Sequence, residues 1–156
     1  MADPGWKRQG YSVGAMRDLA RRALPRPVFD FADGAAEDER TLRRNEAAWG
    51  EMDFLPRPLN GTTARDLSVE LFGRKLALPV IIGPTGLSGL LWPGGELAAA
   101  RAAAGAGTAF CLSHASVCRL EELPRIGDAP RWMQVFVYRE RDFTGEFVSR
   151  AEAAGY

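Results

Sequence analysis

An α/β fold of parallel strands joined by helical crossovers, preceded by a helical segment, is predicted by three observations. Short apolar runs at 80–82, 108–112 and 132–137 have the composition of strands buried on both faces. Helical patterns at 95–104, 119–123 and 142–154 alternate with them over short connections. Glycines crowd the carboxyl end of the first run, Gly83-Pro84-Thr85-Gly86 and then Gly89, where parallel α/β folds bring backbone close to ligands.

Taken in order, residues 1–10 form a polar tail. From 12 to 23, Val13, Met16, Leu19 and Ala20 recur at helical spacing with Ser12 as N-cap, and Pro25 and Pro27 close that helix. A second helical stretch lies around 28–31 and breaks at Asp33-Gly34. A third spans 36–48 and carries the run Glu37-Asp38-Glu39-Arg40 as a solvated face. Residues 49–58 are extended, with Pro56 and Pro58 excluding a helix. Alternation over 67–71 followed by Phe72-Gly73-Arg74-Lys75 predicts a short hairpin. The boundary between an amino-terminal segment (1–78) and the parallel α/β part (79–156) follows from this order.

Composition narrows the function. With 156 residues the chain is long enough to bury a core, and 20 basic against 20 acidic residues give no charge-based case for nucleic acid. No apolar run reaches the roughly 18–20 residues that span a bilayer, and 1–7 lack the apolar core of a signal peptide. Cys111 and Cys118 are expected as free thiols, and one histidine, His114, gives no His-based metal cluster. His114 reads as a loop residue.

Several motifs occur in a specific order. They are Leu24-Pro25 before Phe29-Asp30-Phe31; Gly34-Ala35 with Glu37 and Glu39; Thr41-Leu42-Arg43-Arg44-Asn45; and Leu78-Pro79-Val80. Then come Gly83-Pro84-Thr85-Gly86-Leu87, Leu112-Ser113-His114-Ala115-Ser116 with Glu121-Glu122, and Trp132-Met133-Gln134-Val135-Phe136-Val137. In this order and spacing the chain resembles the amino-terminal part of the FMN-dependent α-hydroxy-acid oxidising enzymes, the family of glycolate oxidase, L-lactate dehydrogenase and (S)-mandelate dehydrogenase. Residues 83–93 and the Leu-Ser-x-Ala-Ser loop at 112–116 look most like mandelate dehydrogenase, whereas 41–45 and 116–118 look more like the bacterial lactate dehydrogenases, so the subfamily stays open.

The resemblance implies a (β/α)8 TIM barrel with FMN at the carboxyl ends of the strands, here incomplete, with about three β/α units. It implies that Pro84, Thr85 and Gly86 lie against the flavin ring and that Ser113 and Gln134 hydrogen-bond its polar edge. Gly86 makes sense there, since a side chain would compete with the ring; a tight strand-to-helix turn is the alternative reason. A glutamine in an otherwise apolar strand also needs buried partners, because an unsatisfied amide costs on the order of 1–3 kcal/mol.

Phe31 and Phe136 correspond to substrate-contacting tyrosines, so the aromatic wall is kept and two phenols are lost. That implies a different substrate or weakened activity, with Tyr138 as a compensating group only if the strand continues that far. The family's histidine base, arginines and lysine lie beyond Tyr156, so no catalytic residue is assigned in this chain. The implied reaction is oxidation of an L-2-hydroxy acid, lactate- or mandelate-like, to the 2-keto acid by a cytoplasmic or peripherally membrane-bound enzyme that is homo-oligomeric at full length. The competing reading is a non-catalytic relic, or a half-barrel completed by a second chain. Either way, an open sheet leaves strand edges exposed, so the isolated chain is expected to aggregate and to bind FMN weakly. A soluble yellow monomer that oxidises a 2-hydroxy acid would contradict this.

Overall fold

The computed structural model describes residues 9–59, 61 and 63–156, and their contacts divide into two compact units, Met1–Thr63 and Ala64–Tyr156. Among the described residues no helix is long and apolar enough to cross a membrane.

The first unit holds helices α1 (Val13–Ala23), α2 (Arg26–Asp33) and α3 (Arg40–Trp49). Ser12 is the N-cap of α1, its backbone extended and its Oγ accepting the Ala15 N–H at 3.1 Å. Pro27 does not end α1. It sits at the second position of α2, where the absent N–H would have had no helical partner. Phe29 is buried, with the Arg21 guanidinium 5.2 Å over its ring, and Arg17 grips Asp33 through two nitrogens, so α1 and α2 are fastened at two points. α3 starts four residues later than the sequence predicts. Glu37 and Glu39 adopt left-handed backbone (φ 50° and 54°), and the Glu39 carboxylate accepts the Ala35 N–H at 3.2 Å. The acidic run is therefore the turn before the helix rather than one of its faces, while Trp49, expected to be extended, is the last helical residue.

The second unit opens with an antiparallel hairpin, β1 (Val69–Leu71) and β2 (Arg74–Leu76). Phe72 and Gly73 both take positive φ (48° and 70°), the backbone of a two-residue turn whose twist matches the strands. The expected strand at 80–82 is reduced to one parallel bridge, Ile82 to Phe110. The Ile82 N–H donates to the Ala109 carbonyl (3.1 Å) and the Ile82 carbonyl accepts from Cys111 (2.9 Å). Pro79 and Pro84, lacking N–H groups, flank that bridge and stop the ladder growing.

β3 (Phe110–Leu112) pairs in parallel with β4 (Arg131–Met133), and the Gln134 N–H carries the ladder one step further, to the Leu112 carbonyl at 2.9 Å. The predicted third strand thus ends four residues early. Two helices, α4 (Ser88–Leu91) and α5 (Gly95–Gly105), connect the Ile82 bridge to β3. A 3-10 helix (Leu120–Ile126) connects β3 to β4, and α6 (Arg141–Ala153) follows β4. Ala100 and Ala103 of α5 pack with Phe110, Leu112, Leu120 and Leu123 into the core. Alanines on that face let the helix approach the sheet closely, which fixes where the strand ends deliver their loops.

Candidate functional site at the strand carboxyl ends

Three backbone segments leave the parallel ladder at its carboxyl end. The segment after Ile82 carries Pro84, Thr85 and Gly86; the one after β3 carries Ser113 and His114; the one after β4 carries Gln134 and Phe136. The second unit therefore gathers six of the seven residues singled out from the sequence at the ends of adjacent strands. Phe31 belongs to the first unit, on α2, with 71% of its surface exposed.

Gln134 organises the centre. Its Oε1 accepts from Ser113 Oγ at 2.9 Å and from the His114 backbone N–H at 3.2 Å. A backbone N–H can only donate, so the carbonyl end of the amide must face these groups and the NH2 end is left for a ligand. Ser113 is buried, and its Oγ also accepts the Ala115 N–H at 3.2 Å. The glutamine partners that the sequence demanded are thus partly within the protein, and what remains is a donor.

The first and second loops are fitted together. The Leu87 N–H donates to the Ala115 carbonyl at 2.9 Å, and Leu87 is held in left-handed backbone at φ 55°. A side chain at Gly86 would bring its Cβ to 3.2 Å from the Ala115 Cβ. A side chain there would press on the facing loop, so the tight fit of the two loops is a reason for Gly86 that flavin contact alone does not give. At Gly89 the collision would be closer, 2.2 Å from Val117 Cγ2. Left-handed backbone at a leucine costs of order 1–3 kcal/mol and persists only where surrounding contacts enforce it, a condition that clusters at ligand sites.

Two further residues contribute, one that the sequence did not mark and one, His114, that it marked only as a loop residue. Glu96, in the first turn of α5, is 2% exposed, and its Oε1 accepts N–H groups from both loops, Gly89 (3.4 Å) and Val117 (3.2 Å). A carboxylate at a helix start reads simply as a complement to the helix dipole, so nothing in the sequence signalled this second task. His114 is the other. Its Nδ1 accepts the Phe136 N–H at 3.3 Å and its Nε2 lies 3.0 Å from Tyr138 Oη. Cys111 and Cys118 are free, and burial raises both thiols above their ordinary range, which disfavours the nucleophilic thiolate. Among the described residues no group of three or more His, Cys, Asp or Glu is placed to hold a metal.

The model of the FMN-dependent dehydrogenase family matches residues 20–156. The chain belongs to that family. Similar proteins include a peroxisomal (S)-2-hydroxyacid oxidase of Arabidopsis thaliana, 39% identical over 145 residues, which cover 93% of this chain and 40% of that protein. An L-lactate dehydrogenase of Ectopseudomonas mendocina is 44% identical over 139 residues, covering 89% and 37%. Among solved structures, a soluble mutant of the membrane-associated (S)-mandelate dehydrogenase of Pseudomonas putida superposes with a TM-score of 0.87 at 39% identity, over 94% of this chain and 42% of that one. The chain thus spans about 40% of the length of the curated relatives it matches. The fold is that of the family's TIM-barrel enzymes, and the second unit is an arc of such a barrel, its described strands not closing a ring. Lactate and mandelate enzymes are both among the similar proteins.

Proposed function

We propose that the protein is an FMN-dependent oxidoreductase of small 2-hydroxy acids and that this chain supplies part of the cofactor site and part of the substrate wall. The observation that carries the reading is the fixed direction of the Gln134 amide. Two protein donors occupy its Oε1, so a donor NH2 is presented at the strand ends. A flavin pyrimidine ring offers carbonyl acceptors on its edge, and an NH2 held in one direction is the complementary group. Pro84, Thr85 and Gly86 would form the backbone shelf beneath the ring, and Ser113 with Gln134 would hold its polar edge.

When bound, the flavin supplies the redox chemistry, accepting the hydride equivalent from the substrate α-carbon. This chain's own residues bind and orient. Phe136, 47% exposed, offers an aromatic face to a substrate, and Phe31 is the second proposed wall residue. Neither can donate a hydrogen bond to a carboxylate or hydroxyl, so this wall contributes apolar contact and the substrate's polar groups must be met by other residues. Proton removal from the hydroxyl is assigned to no residue of this chain.

The test is purification of the full-length protein with its flavin spectrum recorded, followed by reduction with (S)-mandelate and L-lactate. Bleaching of the flavin by either acid is expected. Gln134→Ala should weaken FMN about tenfold, the equivalent of one hydrogen bond of about 1.4 kcal/mol. A colourless protein that FMN does not stain, or a Gln134→Ala variant with unchanged FMN affinity, would overturn the assignment.

A further inference from the structure

Past β4 the backbone of 135–138 has left the parallel ladder, because on the β3 side the chain has turned away into the 113–118 loop. The Phe136 N–H therefore needs another acceptor, and the His114 imidazole provides it through Nδ1 at 3.3 Å. Since Nδ1 holds a lone pair toward this donor, the ring hydrogen belongs on Nε2, where it meets Tyr138 Oη at 3.0 Å. The ring is also packed against aromatic neighbours. Phe136 stacks at a centroid distance of 5.0 Å and 28°, and Phe147 of α6 lies 4.3 Å away at 39°. Tyr138 completes the cluster at 5.4 Å and is itself tied to α6, its N–H donating to Thr144 Oγ1 at 3.0 Å. The His114 backbone N–H, meanwhile, donates to Gln134 Oε1.

We propose that His114 is a positioning residue, holding the Phe136 ring in place as a substrate wall through a neutral, Nε2-protonated imidazole that replaces the missing strand partner. The proposal rests on reading Phe136 as part of the substrate site. Only a ring with two nitrogens on one plane can accept from the Phe136 backbone, pair with the Tyr138 hydroxyl and stack on Phe136 at the same time. A serine or asparagine would make one of these contacts. Both ring nitrogens are engaged, so His114 is not free to take a proton from substrate, and its effect passes through Phe136. The same residue joins the two halves of the site, with its backbone on the proposed flavin contact and its side chain on the proposed substrate wall.

Two measurements on the full-length protein test this. In protein labelled with 15N-histidine, the resonance lost in His114→Asn should show the Nε2–H tautomer at neutral pH, with Nδ1 unprotonated. In steady-state kinetics of the flavin-loaded enzyme, His114→Phe keeps a stacking ring and loses both nitrogens. It should raise KM for (S)-mandelate about fivefold, one hydrogen bond's worth, with kcat and FMN affinity changed less than about twofold. His114→Asn, whose amide oxygen can take the place of Nδ1, should restore most of that loss. Phe136→Ala separates the proposal from its premise. If Phe136→Ala raises KM and His114→Phe does not, the positioning role fails and the substrate wall stands. If Phe136→Ala leaves KM unchanged, the wall reading fails and takes the proposal with it. An Nδ1–H tautomer or an imidazolium would overturn the proposal independently of any activity.

Discussion

Glu96 enters the first turn of α5 and ends with its carboxylate between two loops, Oε1 shared by the Gly89 and Val117 N–H groups and Oε2 buried without a hydrogen-bond partner among the described residues. Removing the acceptor strands two backbone donors, whereas exchanging carboxylate for amide keeps one oxygen for them. Glu96→Ala should therefore cost about 2–3 kcal/mol and Glu96→Gln less than about 1, measured by urea unfolding of the full-length protein. Equal losses would show that the carboxylate's charge, not its acceptor, matters. At this scale the sequence was informative where a residue type admits few environments. A glutamine in an apolar strand had to have partners, and Gln134 has them in Ser113 and His114. It was silent where the task depends on a distant neighbour. His114 meets Phe136 and Tyr138 across 22 and 24 residues, and no local pattern announces such a meeting.

Elements were legible wherever a local signal fixed them. Ser12 caps α1, Phe72-Gly73 makes the hairpin turn, and the helices predicted at 95–104 and 142–154 appear as Gly95–Gly105 and Arg141–Ala153. Strand lengths were less legible, because a strand continues only while a partner runs beside it. The apolar runs at 80–82 and 132–137 have the right composition, yet prolines stop the first ladder and the turn of the 113–118 loop stops the second. The start of α3 was misplaced because left-handed glutamates at 37 and 39 leave no compositional mark.

Loop fit gives a prediction at this scale. In Gly89→Ala the new methyl meets Val117 Cγ2, so the change should destabilise the protein by about 1–3 kcal/mol despite alanine's better helix propensity in α4. Adding Val117→Ala should recover most of the loss in a double-mutant cycle of thermal unfolding. Strictly additive losses would locate the strain elsewhere.

Over the whole molecule, opposite pH limbs follow from groups in both units. Burial raises the Tyr156 phenol well above its ordinary value, and its hydroxyl donates to the Leu120 carbonyl at 2.8 Å. Its contribution is fully present below the unfolded phenol's value of about 10 and is lost as pH rises from there towards the folded value. The Arg17 hydrogen bond lowers Asp33, and the Arg150 hydrogen bond lowers Glu121. Their contributions are present above the ordinary carboxylate range and are lost as pH falls through it; both groups are solvent-exposed, so this acid limb is shallow. Tyr156→Phe should thus flatten the alkaline limb of the stability profile and leave the acid limb unchanged, as read by denaturant midpoints from pH 3 to about 11. An unaltered alkaline limb would remove Tyr156 as its source.

The shared grip of Glu96 also bears on engineering by recombination. The segment after Ile82 and the segment after β3 are cut to each other's shape, Gly86 against Ala115 and Gly89 against Val117, with one carboxylate holding both. A chimera that imports either segment alone from a relative would carry half of a matched pair. The unit of exchange is the two loops together with the residue at 96, although more than twenty positions separate Gly89 from Val117 along the chain.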